Sequence, residues 1–345
     1  INPGITYVTV STARGDTGTH YTPKSLAEDV VKTTLDALLY SPGPLKSHDE
    51  TTWLLIHPEK IIELKVADIA MGSGAFLVAT IRYLADALLV ALEQADRSSL
   101  TPPALIRLWD DLHRPDPDRP DWEQDHADDI RLAARQVIAA HTIYGVDINP
   151  MAVEMAKLSI WLVTAAKSQP FGFLDHRLHV GDSLLGVHDI RQIENLHLKP
   201  ERGAAQYGTA DGALFDFTSE VRLALARIRE LRAQIDKQVV HDLRAVEEQS
   251  RLYAEIQQIS NDLTLVADGL AAAGLAAAKE STGKAYDKVL DAKTSLITQH
   301  VPALFSDETD ADKRDIARAA IDDQTRIWLA LDLPEGAFTR HPHHW

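Results

Sequence analysis

The stretch Lys65–Val78, KVADIAMGSGAFLV, constrains the fold of this chain more than any other. A short apolar run, Val66–Ala70, carries Asp68 and breaks at Gly72-Ser73-Gly74. An apolar, helix-compatible stretch restarts at Ala75 and continues to Leu92. The pattern predicts a buried parallel strand, a tight glycine turn and a helix start. Two glycines let the backbone come close to a ligand where a Cβ would block the approach. The first turn of the new helix offers N–H groups with no partner inside the helix. In an open α/β sheet, a ligand lies beyond the carboxyl end of such a strand.

The same residues narrow the choice of ligand. A dinucleotide fingerprint needs a third glycine, and Leu77 stands in its place. A phosphate-binding P-loop needs Gly-Lys-Ser/Thr after its spacer, which is absent here. The wording resembles motif I of the S-adenosylmethionine-dependent N6-adenine DNA methyltransferases, whose usual form is D-P-A-x-G-S-G-x-F-L. Ile69 stands where that family commonly has proline, a departure that leaves the turn intact. By this resemblance Asp68, Ala70, Gly72, Ser73, Gly74, Ala75 and Phe76 bind the cofactor, S-adenosylmethionine.

Upstream lies Thr19-His20-Tyr21-Thr22-Pro23. Thr22 suits a helix N-cap, and Pro23 suits the first helical position, where its missing N–H costs nothing. Ser25 and Glu28 offer a second capping-box reading. Leu26, Val30, Leu35, Leu38 and Leu39 continue at helical spacing. H-Y-T-P ahead of the glycine turn resembles motif X of the same methyltransferases, which closes over the methionine part of the cofactor. The resemblance assigns that role to Tyr21, Thr22 and Pro23.

Two further strand units follow. His141–Asp147 reads as the second strand, and Asn149-Pro150 as the cap of a helix carrying Val153, Met155, Ala156, Leu158, Ile160, Trp161 and Leu162. An acid at such a strand end accepts both hydroxyls of a ribose, or it simply caps the next helix. Tyr-Gly-Val-Asp-Ile-Asn-Pro resembles motif II, which implies that Asp147 takes the ribose and Ile148 packs on the adenine ring. Leu178–Leu184, LHVGDSL, reads as a third short strand and resembles motif III. There Asp182 accepts the adenine amine, beside Ser183 and Leu184. An ionised carboxylate is a strong acceptor for an amine N–H.

The expected class is α/β: a Rossmann-like methyltransferase sheet with a long inserted α-helical hairpin or coiled-coil region. Residues 1–64 read as an arm, with a short strand at Thr6–Val10, followed by the motif X helix and a loop from Pro42 to Lys60 with one short helix. Residues 65–186 read as the cofactor-binding half, with a polar, proline-punctuated surface insertion at 98–140 holding helices near Ala104–Leu112 and Glu123–Ala140. Residues 187–345 read as helical. An irregular stretch, 187–218, leads into a long helix from Ser219 that folds back near Lys237–His241. A bend at Gly269–Ala278 then leads to helices at Lys284–His300 and Asp310–Leu331. The closing His341-Pro-His-His-Trp345 has no acid or further His at a ligand spacing, so no metal is assigned.

Composition bounds the partners. The 345 residues carry a formal net charge of −16, so the chain as a whole is a poor main DNA-binding surface, although local basic strips remain open. There is no cysteine, which removes disulfides and fits a cytoplasmic protein. No apolar run is expected to approach the ~18 residues that span a bilayer, and no signal-peptide pattern opens the chain, so no membrane partner is assigned. The start without Met reads as a processed or incomplete chain.

The motif order X, I, II, III places the resemblance in the group with a C-terminal target-recognition domain. It is most similar to type IIG restriction–modification enzymes and to the methyltransferases of BREX and DISARM phage defence. Motif IV, Asn/Asp-Pro-Pro-Tyr/Phe, is absent; Asn2-Pro3-Gly4 and Asn149-Pro150-Met151 are not it. In the family this motif holds the adenine, which must be flipped out of the duplex to be reached. The resemblance therefore implies the N-terminal part of a longer methyltransferase, with no catalytic residue of its own. Double-stranded DNA would be met mainly through the missing part, and protein partners of a defence or restriction complex through the helical region. The alternatives are a methyltransferase acting on RNA, protein or a small molecule, and a non-catalytic cofactor-binding scaffold. A nicotinamide enzyme is disfavoured by Leu77.

Overall fold

The computed structural model describes residues 22–113, 122–165, 174–207, 217–237, 243–305 and 310–330. The arm at 1–19 with its Thr6–Val10 strand, Tyr21, the fold-back residues 238–242 and the His-rich stretch 341–345 lie outside the described residues. The chain divides into two compact units, Ile1–Val180 and Gly181–Trp345.

In the first unit α1 (Lys24–Leu39) leads to a short antiparallel ribbon, β1 (Tyr40–Ser41) with β2 (Leu54–Leu55), and to α2 (Pro58–Glu63). Then come β3 (Val66–Asp68), α3 (Ala75–Gln94), α4 (Pro103–Leu112), α5 (Trp122–His141), β4 (Ile143–Asp147), α6 (Pro150–Thr164) and β5 (Leu178–Val180). Strands β3, β4 and β5 form a parallel sheet in that order. Asp68 stands opposite Gly145, and Asp147 opposite Val180. All three carboxyl ends therefore lie along one edge.

Helix α3 is the centre of this unit. Leu77, Ile81, Leu84, Leu88 and Leu92 recur at three- and four-residue spacing and are fully buried. Each such side chain contributes about 1.5–3 kcal/mol by leaving water. Helices α1, α5 and α6 pack around α3. By length and composition α3 could cross a bilayer, contrary to the expectation that no such run exists. Its apolar stripe is instead spent on the core, against Leu35, Ile138 and Ile160.

The second unit holds α7 (Ile190–Glu194), α8 (Pro200–Tyr207), α9 (Phe217–Lys237), α10 (Leu243–Glu280), α11 (Gly283–Thr298), α12 (Val301–Phe305) and α13 (Ala311–Ala330). Its core gathers Val221, Leu270, Leu290, Ile297, Val301 and Ile321. The described residues are mostly helical, and the expected Rossmann-like sheet is represented among them by the three parallel strands.

Several expectations need correction. Helix α1 starts at Lys24 with Pro23 as its cap residue, so Thr22 caps nothing and no side chain bonds the first turn. The Pro42–Lys60 region contributes β2, which pairs with β1 just ahead of it in a ribbon too short to show a period. The three parallel strands are shorter than read: Ile69 and Ala70 already belong to the turn, His141 ends α5, and β5 stops at Val180. The described parts of 98–140 are not a surface insertion: Leu105, Leu108, Ile130, Ala134 and Ile138 are buried in the main core, and α5 lies on α3. Their apolar period was hidden by intervening prolines and acids. The stretch 187–218 is partly helical, because Asp189 and Gln192 make a reciprocal capping box for α7. Helix α10 runs unbroken through Gly269–Ala278 and ends at Glu280.

Candidate active-site edge of the parallel sheet

The turn after β3 is folded onto the neighbouring strand by backbone bonds. The Met71 N–H donates to the Val146 carbonyl at 3.1 Å, and the Gly74 N–H to the Met71 carbonyl at 2.8 Å. Gly72 and Gly74 both adopt left-handed backbone, with φ of 53° and 81°. The two glycines are needed for different reasons. A Cβ on Gly74 would lie 3.2 Å from Ala156 Cβ, where α6 passes the start of α3. A Cβ on Gly72 would meet nothing within 4 Å, so the space above it is open. Gly74 is the N-cap of α3 and offers no side chain to the first-turn N–H groups. That leaves them for water or an anionic or polar ligand atom.

Asp147 ties the second strand end to this turn. One carboxylate oxygen accepts the Gly72 N–H at 2.8 Å, and the other accepts the Asn149 N–H at 2.8 Å. A carboxylate has about four lone-pair sites, so two backbone donors leave acceptor capacity for hydroxyls. Asn149 then caps α6, its side chain accepting the Met151 N–H at 3.0 Å, with Pro150 at the first helical position. Asp68 accepts the Ala70 N–H at 3.1 Å through one oxygen. Its other oxygen is buried and finds no hydrogen-bond partner among the described residues. Burial, chiefly, pushes the Asp68 carboxyl above the usual carboxylate range; the Ala70 bond opposes this, and the nearby Asp147 charge adds to it.

The structure thus brings Asp68, Gly72, Ser73, Gly74 and Asp147 together at the carboxyl edge of the sheet. Ser73 and Ala70 are exposed, while Ala75 and Phe76 are half-buried at the start of α3. Ile148 follows Asp147 with 64% of its surface in solvent, a large apolar side chain left uncovered at the strand end. Thr22 is half-buried and Pro23 exposed, the Pro23 carbonyl accepting the Ala27 N–H at 3.1 Å. Asp182, two residues past β5, falls in the second unit; it accepts the Leu184 N–H at 2.8 Å and the Leu185 N–H at 3.2 Å. Ser183 is half-buried and Leu184 exposed.

Two positions escaped sequence reasoning. A Cβ on Gly145 would fall 2.3 Å from Met71 Sδ and 3.0 Å from Leu77 Cδ1, so only glycine lets the turn settle over β4. Ala156 is the small residue that admits Gly74. The glycine within Tyr144-Gly145-Val146-Asp147 carried the signal for the first; nothing local marks the second.

Comparison with known proteins bears on this edge. The model of the MmeI DNA-methyltransferase domain matches residues 45–193, which hold all three parallel strands. The model of the Eco57I restriction-modification methylase matches residues 141–294, from β4 into the helical unit. No curated protein and no solved structure matches the chain. The two matches, each over less than half of the chain, support a DNA methyltransferase of restriction–modification type in general.

Proposed function

We propose that this chain is the cofactor-binding half of an S-adenosylmethionine-dependent DNA methyltransferase acting on adenine N6, in a restriction–modification or phage-defence system of the cytoplasm. The observation that carries the reading is the Asp147 carboxylate bridging the Gly72 and Asn149 N–H groups beside the open space over Gly72. The buried, partnerless Asp68 oxygen fits such a ligand, because it would accept from a cationic amine. S-adenosylmethionine carries such an amine and, when bound, supplies an activated methyl group.

In this reading Asp147 accepts the ribose hydroxyls with its remaining lone pairs, and Ile148 packs on the adenine ring. Asp68 holds the amine, and Gly72–Gly74 with Ala75 and Phe76 form the floor. Asp182, Ser183 and Leu184 serve the adenine edge, and Tyr21, Thr22 and Pro23 close over the methionine end. The helical region is an insertion within the methyltransferase. The 345 residues contain no Asn/Asp-Pro-Pro-Tyr/Phe tetrapeptide to hold a flipped base. This chain alone therefore binds cofactor without methylating duplex DNA.

Titration calorimetry tests the reading. Wild-type chain should bind S-adenosylmethionine, and Asp147→Ala should bind at least about tenfold more weakly, the loss of ~1.4 kcal/mol. Equal affinities would remove Asp147 from the site. Transfer of tritium from labelled cofactor into duplex DNA by this chain would refute the missing acceptor half.

A further inference from the structure

Helices α9 and α10 pair antiparallel: the Gln249 amide donates to the Ile235 carbonyl at 3.3 Å, and Arg227 bridges to Glu255 at 2.6 Å. The base of the pair belongs to the unit's main core through Phe217 and Val221. Farther out, Leu231, Ile235, Leu252 and Ile256 make a separate small cluster from these two helices alone. Among the described residues, the apolar side chains of the outer hairpin therefore pack only on one another.

Its outer face is basic. Arg222, Ala226, Arg229 and Ala233 follow one another at helical spacing, and Arg232 flanks Arg229; all five are exposed. Arg222 pairs with Glu194 at 3.0 Å, and Glu230 is occupied by Arg227 at 2.8 Å. Among the described residues no carboxylate pairs with Arg229 or Arg232. Arg229 and Arg232 thus put two exposed guanidinium groups on one face of a helix in a chain of net charge −16. The alanines beside them leave no bulk in the way of a broad polyanion.

We propose that this face of α9 grips the phosphate backbone of duplex DNA without reading its sequence. The proposal rests on the reading of the chain as a DNA methyltransferase, and it places one DNA contact on the helical unit. Arginine suits the task, because its planar fork meets phosphate oxygens two at a time. Arg229 and Arg232 lie about 4.5 Å apart along the helix at ~1.5 Å per residue. A duplex presents about three charges over that length, at one per ~1.7 Å of axis. Strong net negative charge elsewhere repels the duplex, so contact is confined to surfaces where cations lack partners.

The test uses the whole chain and a fluorescent mixed-sequence duplex, with anisotropy read between about 50 and 200 mM salt. Arg229→Ala/Arg232→Ala should make the salt dependence shallower by about 1.8 log units per log unit of salt, at ~0.9 per phosphate contact. Arg229→Glu/Arg232→Glu should abolish binding at the lowest salt. Both positions are exposed on a helix that tolerates Ala and Glu, and unchanged circular dichroism and thermal melting would certify the fold. Identical slopes and affinities in wild type and variants would overturn the proposal and leave the face to an acidic protein partner. Wild-type chain that binds cofactor but no duplex at low salt would also overturn it, while the cofactor site stands. Loss of cofactor binding by wild type would instead refute the underlying reading.

Discussion

Asp147→Asn isolates what the central carboxylate does. Asn149 N–H and Gly72 N–H each point at a separate carboxylate oxygen, both at 2.8 Å. An amide offers one oxygen, so one of the two donors must then face an NH2 group. A hydrogen bond to a charged acceptor contributes roughly 1.5–3 kcal/mol, which partial exposure reduces to about 1–2 kcal/mol here. Asn149 lies only two residues away and keeps the oxygen more easily, so the Gly72 bond is the one lost. The glycine turn should open more often, by a factor of about 5–30 for that free-energy change. Hydrogen exchange of a peptide covering Asp68–Leu77 reads this directly, without any ligand. Exchange there should speed up by that factor, while peptides from α10 and α11 remain unchanged. Unaltered exchange at the turn would show that Asp147 does not hold it, and the bridging role would fail.

Other outcomes follow from the same structure. Gly74→Ala, strained by its left-handed φ of 81° and pressed against Ala156 at 3.2 Å, should lower stability by about 1–3 kcal/mol in urea titration. Gly72→Ala shares the left-handed strain, with φ of 53°, but meets open space, so it should cost less stability than Gly74→Ala and impair cofactor affinity; the reverse stability ranking would contradict the division of roles. His197 is fully buried, its Nδ1 accepting the Lys199 N–H at 2.9 Å and its Nε2 bonding Asp291 at 3.1 Å. Burial holds its pKa below the usual 6.5 despite Asp291, so the unfolded chain takes up the proton first. The stability it contributes is therefore complete above about pH 6.5 and is lost as pH falls below that value; His197→Gln should flatten this slope in thermal melts. Burial also pushes the Asp268 carboxyl up to about 7, so its folded form holds an extra proton between 3.8 and that value. Stability should fall as pH rises through this window, and Asp268→Asn should raise the melting point near pH 8 but not near pH 4. A variant whose melting point moves equally at both would refute it.

What was legible in the sequence was the chemistry that is local. Gly72-Ser73-Gly74 announces a turn because its backbone needs left-handed φ, and Asn149-Pro150 announces a helix start through one side-chain acceptor and one missing donor. The hairpin of α9 and α10 was legible through the spacing of Leu231, Ile235, Leu252 and Ile256. What was hidden depends on distant partners. Gly269 and Gly274 read as a bend, yet they lie inside α10 because Ile297 Cδ1 and Leu198 Cδ1 would sit 3.1 Å and 2.3 Å from a Cβ there. Glycine marks close packing as readily as a turn, and only the neighbour decides. The core role of α5 was hidden for a related reason: Ile130, Ala134 and Ile138 form a narrow stripe on an otherwise charged helix. The acceptor capacity of Asp147 was foreseen, but its hold on Gly72 crosses 75 residues of sequence and needed the fold.

The most direct test is crystallographic: crystals of this chain soaked with S-adenosylhomocysteine, with difference density examined at the carboxyl edge of the three parallel strands. The ligand should lie over Gly72–Gly74 with its ribose hydroxyls on Asp147 and its amine within reach of Asp68. Density elsewhere, or an unchanged turn at saturating ligand, would contradict the assignment of this edge as the cofactor site.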